Sequence, residues 1–373
     1  MRHFDQLAEA VRRELFHSAP ESFDRASDRE VLAHALGATL YVPATRSDLA
    51  ATVRRRAERG ARSMVIDLED AISDPSVDGA VASTADVLAE LGADPPESLL
   101  FVRVRSAAHI RQLTLALGPG QRIVSGFVLP KFGAKTGEEY LQAVVEMDAR
   151  SACPVYAMPV LETREVLYRE TRDAELVGIR ELLDRYRPHV LSVRLGATDL
   201  CGLFGIRRDR DLSIYDVGVA ADLITQVVNQ LGRTDGTGFA ITGPVWEYFA
   251  NHERILRPQL RQTPFADRHA DDLRSSLMSR DLDGLMREII LDRANGLTGK
   301  SVIHPSHIAP VHALAVVPHE EYLDALDIVR PESASGGVRA SGYGNKLNEM
   351  RPHRIWAERT LLRARMFGSA AAG

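Results

Sequence analysis

Cysteine is nearly absent from this sequence, which holds only Cys153 and Cys201 in 373 residues. Both lie in or beside apolar, strand-like runs, which argues against a disulfide framework and for a reducing compartment. Long apolar runs are also missing, since none approaches the roughly 20 residues that a membrane-spanning helix needs. The amino terminus mixes both signs of charge and lacks the apolar core of a signal peptide. We therefore predict a cytoplasmic protein with no membrane partner.

A basic surplus is missing as well, because the net charge is −5 and the pI is about 6.2. This charge balance gives no reason to expect nucleic acid as a partner. Lysine is scarce: only four of the 46 basic residues are lysine, namely Lys131, Lys135, Lys300 and Lys346. A GC-rich genome, whose codons favour arginine, explains most of this bias. Lysine would then persist mainly where a compact ammonium group is needed.

What is present is an ordinary globular composition, with 45% hydrophobic and 26% charged residues, which can bury a sizeable core. Short strand-like runs alternate with helical patterns along the chain. The strand candidates are residues 38–44, 63–70, 99–104, 126–131, 154–162, 189–200, 238–246 and 301–305. This rhythm predicts an α/β fold, specifically a (β/α)₈ TIM barrel. A doubly wound open sheet is the alternative, disfavoured because no glycine-rich phosphate-binding loop follows an early strand.

Three segments fall outside the barrel rhythm. Residues 1–36 are predicted to form a helical amino-terminal extension, and residues 317–373 a helical carboxyl-terminal tail. The barrel itself is assigned to residues 37–316, with a charged, helical insertion at about 250–290. The insertion could cover the active-site mouth or form a subunit contact, and the sequence does not choose between these.

Acidic and basic side chains interrupt the apolar runs where most of the predicted strands end. These residues are Asp67, Glu69, Asp70, Arg103, Arg105, Lys131, Glu162, Asp199 and His304. Each one taken alone is explained as a solvated strand end. In a (β/α)₈ barrel, however, the carboxyl ends of the strands meet at one face, where the active site lies. The set as a whole therefore indicates a functional site.

Two of these carboxylates follow neighbouring strands and are candidate metal ligands. Glu162 comes directly after an apolar run, and Asp199 ends the next one. Hard oxygen ligands without an accompanying cysteine or histidine cluster favour Mg²⁺, which usually takes one or two carboxylates plus substrate oxygens and water. The alternative is that each residue caps the helix that follows.

Three other side chains allow two interpretations each. Arg103 lies in a β-branched run, where its guanidinium suits bidentate recognition of a substrate carboxylate or a salt bridge to Asp67 or Glu69. Lys131 could form a Schiff base with a carbonyl substrate, or an ion pair with a neighbouring acid. His304 could act as a general base or make a structural hydrogen bond.

Seven collinear segments resemble motifs of the citrate lyase β-subunit and HpcH/HpaI aldolase superfamily. They are YVPATRSDL (41–49), VIDLEDAI (65–72), VRVRS (102–106), VLPKF (128–132), VLETREV (160–166), LGATDL (195–200) and GKSVIHPSHIAPV (299–311). The series keeps the family order across most of the predicted barrel. The likeness is greatest to a divergent branch, the TIM-barrel C–C bond lyases, which are bacterial proteins associated with tellurium-resistance-type stress operons.

The resemblance implies specific roles for the residues at the strand ends. Glu162 and Asp199 would hold Mg²⁺, while Arg103 and Lys131 would bind a 2-oxo or 2-hydroxy carboxylate. Backbone amides of Gly196, Ala197 and Thr198 would help to bind substrate oxygens. A supporting set would fix these groups and the metal-bound water: Asp67, Glu69, Asp70 and His304.

The tail segment GNKLNEMRPH (344–353) resembles a family motif that carries a catalytic acid into a neighbouring subunit's active site. Glu349 stands near the position of the family's aspartate, so it is a candidate catalytic residue. A homo-oligomer, a trimer or a hexamer, would then be required, with the tail packing on a neighbouring copy. The longer glutamate side chain and the altered spacing change the reach of the acid.

The function that these patterns favour is a Mg²⁺-dependent carbon–carbon lyase or aldolase. Its substrate would be a 2-oxo or 2-hydroxy acid, either free or as an acyl-CoA-type thioester. One alternative is a metal-free aldolase that uses Lys131 as a Schiff-base nucleophile. Another is a catalytically silent barrel that binds a small molecule within a stress-response assembly.

Overall fold

The computed structural model describes residues 1–69, 77–249, 280–330, 333 and 336–372. Asp70 and residues 250–279 of the predicted insertion lie outside the described residues. The strands are β1 (Phe16–Ser18), β2 (Ala38–Pro43), β3 (Ser63–Asp67), β4 (Leu99–Arg103), β5 (Val124–Leu129), β6 (Tyr156–Leu161), β7 (Val193–Leu195), β8 (Ile241–Thr242), β9 (Lys300–Val302), β10 (Val338–Ala340), β11 (Leu347–Glu349) and β12 (Ser369–Ala370).

Helices follow most of the strands. They are α1 (Glu9–Leu15), α2 (Arg29–Ala35), α3 (Leu49–Glu58), α4 (Val77–Ala93), α5 (Ala107–Leu117), α6 (Gly137–Asp148), α7 (Arg164–Leu167), α8 (Arg169–Arg185), α9 (Ala197–Gly202), α10 (Gly218–Leu231), α11 (Arg280–Ala294), α12 (Ile308–Ala315), α13 (His319–Val329) and α14 (Arg354–Phe367). Within the described part of the chain, no helix is both long enough and apolar enough to cross a bilayer.

Eight parallel strands form one sheet in the order β8-β7-β6-β5-β4-β3-β2-β9. A parallel bridge between Gly243 and Lys300 connects the two outer strands, so the sheet nearly closes on itself. All eight strands lie within or beside the segments that the sequence predicted. The predicted (β/α)₈ barrel is therefore confirmed.

Each barrel strand is buried on both faces, as expected for parallel strands covered by helices. In β4, Leu100 and Val102 belong to the core between the strands and the helices. Leu99 and Phe101 alternate with them and belong to the core inside the barrel. This period of two residues fills the amino-terminal half of the barrel interior with side chains.

The amino-terminal segment and the tail close the amino end of the barrel. The interior core continues into Phe4, Phe16, Leu36 and Phe367. Strand β1 pairs antiparallel with β12, and α14 contacts both α13 and α2. The tail thus packs on the extension of its own chain, and the predicted contact with a neighbouring subunit stays a prediction.

A buried ionic network joins α11 to the barrel. Lys300 Nζ lies 2.9 Å from Glu288 Oε1 and 2.6 Å from Asp292 Oδ2. Arg208, in the loop after α9, pairs with Glu288. The Tyr215 hydroxyl donates to Asp292 Oδ1 at 2.9 Å. The two cations and two carboxylates are each at most 3% exposed. Because their charges cancel, the network can be stable away from water.

Candidate functional site

A cavity of about 740 Å³ opens where the barrel strands end. Its lining comes from strands β2, β4, β6, β7 and β9 and from the loops that follow β5 and β8. The residues that carry charge or a polar ring are Tyr41, Arg103, Lys131, Glu162, Arg164, Arg194 and Asp199. Four of these were predicted from the sequence as site residues, and the structure brings them together.

Arg103 is held by two carboxylates of the preceding strand and loop. Its Nε and Nη2 donate to the two carboxylate oxygens of Asp67, each at 2.6 Å, and its Nη1 lies 3.0 Å from Glu69 Oε2. Burial would lower the pKa of Arg103, but the hydrogen bonds to Asp67 outweigh it and raise that pKa. Arg103 is therefore a permanent cation with a fixed orientation, and the salt bridge that the sequence left open is present.

Lys131 continues this chain of charges towards Glu162. Its ammonium group pairs with Glu69, while its backbone N–H donates to Glu162 Oε1 at 2.8 Å. Lys131 has a φ of +48°, in the left-handed region that residues other than glycine rarely adopt. Such strain persists where the surroundings impose it, typically at functional sites. Here the unusual backbone conformation accompanies the hydrogen bond to Glu162.

Glu162 and Asp199 are the two oxygen donors that could hold a divalent cation. Glu162 is 5% exposed, whereas Asp199 is half-buried in the first turn of α9. Burial, together with the nearby charges of Asp199 and Glu69, raises the pKa of Glu162 to about 7. A cation between the two carboxylates would relieve this repulsion.

The donor set fits Mg²⁺ better than a transition metal. Nowhere in the described ranges do three or more His, Cys, Asp or Glu side chains gather as a closed metal cage. Two carboxylates beside an open cavity leave room for water and substrate oxygens, which is how Mg²⁺ is commonly bound. Arg103 and Lys131 form their ion pairs with two other acids, Asp67 and Glu69, and not with the candidate ligands Glu162 and Asp199.

Comparison with known proteins decides the family. Residues 30–369 match the family described as C–C bond lyase of the TIM-barrel fold. The chain belongs to this family. This confirms the resemblance to the TIM-barrel C–C bond lyases that the sequence motifs indicated. By family, the protein is a carbon–carbon lyase. No curated protein sequence is similar enough to this lyase to register as a relative.

Solved structures share the fold of this lyase at low sequence identity. A citrate lyase from Burkholderia xenovorans has 16% identity and a TM-score of 0.59, over 90% of this chain and 94% of that chain. The CitE protein of Mycobacterium tuberculosis, in complex with magnesium, acetoacetate and coenzyme A, has 22% identity and a TM-score of 0.53, over 89% and 99%. A magnesium/glyoxylate complex of Haloferax volcanii malate synthase has 15% identity and a TM-score of 0.52, over 80% and 78%.

Of the other residues predicted for the lyase site, three lie at the cavity and His304 does not line it. Gly196 and Ala197 line the cavity, and the Thr198 hydroxyl, also at the cavity, donates to Glu247 at 2.8 Å. His304 is engaged locally, because its Nδ1 lies 2.7 Å from Ser306 Oγ. Their predicted roles remain predictions.

Glu349 lies on β11 with its side chain exposed. Its backbone N–H donates to His353 Nδ1 at 3.1 Å, and Glu349 is not among the residues that line the cavity. Within one chain it therefore does not reach the site. Its predicted catalytic role depends on a second copy.

The polar cavity residues that the sequence analysis missed include Tyr41, Arg194 and Ser301. Arg194 Nη2 donates to Ser301 Oγ at 2.8 Å, and the guanidinium groups of Arg103 and Arg194 lie 5.2 Å and 5.8 Å from the Tyr41 ring centroid. The signal for Arg194 was available, since it is a charge within an apolar run. The same signal identified Arg103.

Replacing Gly196 with alanine should disturb the predicted metal site at Glu162. An added Cβ would lie 1.9 Å from Glu162 Oε2 and 2.5 Å from Glu162 Cβ, and the second contact cannot be relieved by rotating the carboxylate. We expect Mg²⁺ binding, measured by isothermal titration calorimetry, to weaken about 10–100-fold, the range found when groups that orient ligands change. Gly202→Ala is the matched control, because its Cβ would meet nothing within 4 Å. Equal Mg²⁺ affinity in both variants would contradict the assignment of Glu162.

Proposed function

We propose that the protein is a Mg²⁺-dependent lyase that cleaves a carbon–carbon bond in a 2-oxo or 2-hydroxy carboxylate. The observation that carries the proposal is the buried Glu162 beside Asp199, with its pKa raised to about 7, at the edge of the cavity that Arg103 also lines. Such a pair of carboxylates favours a divalent cation. When bound, Mg²⁺ would supply Lewis-acid stabilisation of the negative charge that builds on a substrate oxygen.

The chain's own residues would then divide the work. Arg103, fixed by Asp67, presents a permanent positive charge that needs no reorganisation when charge develops in the cavity. The backbone amides of Ala197 and Thr198, at the start of α9, are the proposed donors to substrate oxygens, since the Gly196 amide already donates to the Leu161 carbonyl at 3.2 Å. Glu349 of a second copy is the proposed base for the hydroxyl proton, which requires a homo-oligomer. A sedimentation measurement that shows only monomer would remove Glu349 from this mechanism.

The alternative aldolase chemistry at Lys131 has less support. A Schiff-base lysine must lose its proton to become a nucleophile. Partial burial favours that loss, but the hydrogen bond and charge of Glu69 outweigh it and raise the pKa of Lys131. Two structural neighbours were solved with magnesium and a small oxo acid: glyoxylate, a 2-oxo acid, in one and acetoacetate, a 3-oxo acid, in the other. Their likeness to this chain is one of fold.

A cleavage assay with and without chelator tests the proposal. The purified protein would be offered 2-oxo and 2-hydroxy acids, free and as CoA thioesters, with Mg²⁺ or with EDTA, and products would be resolved by chromatography. We expect cleavage only with Mg²⁺ and no covalent adduct after borohydride treatment. Turnover that persists in EDTA with a borohydride-trapped Lys131 would favour the Schiff-base route. Mg²⁺ binding without cleavage of any substrate would favour the silent binding barrel.

A further inference from the structure

Arg194 reaches into the barrel interior at the floor of the cavity. It lies in β7 and is only 1% exposed. Its Nη2 donates to Ser301 Oγ of β9 at 2.8 Å, and its Nη1 lies 3.4 Å from Met158 Sδ of β6. Because β6 and β9 lie on opposite sides of β7 in the sheet, a guanidinium that contacts both occupies the barrel interior. There it lines the cavity.

The charge of Arg194 has no counter-ion within the described ranges. No carboxylate there pairs with it, and its Nε has no hydrogen-bond partner. The Tyr41 hydroxyl accepts a hydrogen bond from Arg194 and favours its cation, whereas the charge of Arg103, of the same sign, opposes it. Arg103 itself already pairs with Asp67 and Glu69. Of the other buried arginines, Arg62 is bound by three backbone carbonyl oxygens, and two have a carboxylate partner. Arg172 pairs with Asp222, and Arg208 pairs with Glu288.

A buried cation without a counter-ion is costly, because burial removes its hydration and neutral partners such as Ser301 and Tyr41 replace only part of it. Burial accordingly lowers the pKa of Arg194. A site of this kind is stabilised by an anion that enters with the ligand. Since a single positive charge is left over, a monoanionic carboxylate matches it, and the planar guanidinium suits that group in particular.

The position of Arg194 also limits what this anion can be attached to. Arg194 pairs with Val160 in the sheet, so it lies two residues, about 6–7 Å of strand, below Glu162. Further down, the barrel is filled by Phe101, Met158 and Val128. A group bound to Arg194 must therefore be the end of a ligand, because these side chains leave no room below Arg194 for a thioester carrier.

We propose that Arg194 binds the terminal carboxylate of the substrate, which is therefore a dicarboxylic acid with its free acid end at the floor of the cavity. The reacting end would lie above it, beside Glu162 and Asp199, so this inference rests on the proposed function. Any carrier group would be attached at the cavity mouth. The acid end and the reacting end are recognised separately.

The first test uses the metal-free protein, so that it is independent of Mg²⁺ chemistry. Succinate binding would be measured by calorimetry in EDTA for the wild type, Arg194→Met, Arg194→Lys and Arg164→Met. Arg164 is exposed and lines the same cavity, so its loss controls for the general positive potential. We expect the affinity to fall about 30-fold or more in Arg194→Met, less in Arg194→Lys, and little in Arg164→Met. Equal succinate affinity in Arg194→Met and the wild type would overturn the proposal.

Thermal melting separates a binding role from a structural one. Without ligand, Arg194→Met should melt at the wild-type temperature or above it, because a methionine carries no buried charge. Succinate should then raise the melting temperature of the wild type but not of Arg194→Met. A clear loss of ligand-free stability in Arg194→Met, together with weak succinate binding to the wild type, would point to a structural arginine and sink the proposal.

A second comparison with Mg²⁺ present uses malate and lactate, which share the 2-hydroxy acid end and differ in the distal carboxylate. The wild type should prefer malate about 30-fold, and Arg194→Met should lose this preference. If the succinate result holds while Mg²⁺ dependence fails, the proposed function is wrong and the anion site stands. If 3-phosphonopropionate binds the metal-free protein more tightly than succinate, the assignment of a carboxylate is overturned.

Discussion

Asp199→Asn and Glu162→Gln should each abolish Mg²⁺-dependent turnover while the barrel stays folded. Both changes keep the size of the side chain and remove one anionic ligand, so the ion that stabilises developing charge is lost. We expect kcat/KM to fall at least about 1,000-fold, on the order of 4 kcal/mol in the barrier. Glu165→Gln is the matched control, since Glu165 is an exposed glutamate three positions beyond Glu162. Full activity of both variants in EDTA would refute the metal site.

The pH dependence of Mg²⁺ binding gives a second readout of the same site. The pKa of Glu162 is raised to about 7 in the metal-free protein, by burial first and by Asp199 and Glu69 next. The ion requires the deprotonated carboxylate, so protons compete with it below about pH 7 and do not compete well above it. Mg²⁺ affinity, measured by calorimetry, should therefore fall by up to about tenfold for each pH unit below 7. The residual binding in Glu162→Gln should lack this dependence.

Lys300→Met should cost more stability than any substitution at the cavity. Lys300 is fully buried and contacts two buried carboxylates, Glu288 and Asp292. Removing one partner of a buried ion pair leaves an uncompensated charge and typically costs about 3–5 kcal/mol. The free energy of unfolding, from urea denaturation, should fall by this amount. Lys135→Met, at an exposed lysine, should leave it nearly unchanged.

A double variant shows whether charge or packing causes the loss. Arg208 still balances Glu288 when Lys300 is replaced, so the carboxylate left without compensation is Asp292. Adding Asp292→Asn to Lys300→Met restores a neutral network and should recover part of the lost stability. If the double variant loses as much stability as the sum of the losses in Lys300→Met and Asp292→Asn, charge balance does not stabilise the network.

The fold was predictable because the repeated strand–helix pattern is a local property of the sequence. Parallel strands covered by helices have sequences of short apolar runs. Each of the eight runs that were predicted as strands forms or borders a strand in the structure. The clustering of Arg103, Lys131, Glu162 and Asp199 was predictable for a related reason. In a barrel the carboxyl ends of all strands face the same side, so a position at a strand end already specifies a place near the cavity.

The ion pairs between charged side chains were less predictable. They depend on which strands are neighbours and on how far each side chain reaches. The sequence allowed Arg103 either a substrate or a salt bridge, and only the structure shows both Asp67 oxygens on its guanidinium. Lys300 was singled out by the scarcity of lysine, yet its contacts with Glu288 and Asp292 come from α11, a helix that begins within the predicted insertion. Such contacts have no signature in spacing.

By itself, then, the sequence determined the barrel, the end of it that carries the charged residues, and membership in a family of carbon–carbon lyases. Only the tertiary structure decided which charges cancel and which do not. Arg103 and Arg194 both interrupt apolar strands, but the first has Asp67 and Glu69 beside it and the second has neither. The reason is physical: a strand buried on both faces gives no local sign of which face points inward, and charge compensation is a property of three-dimensional neighbours.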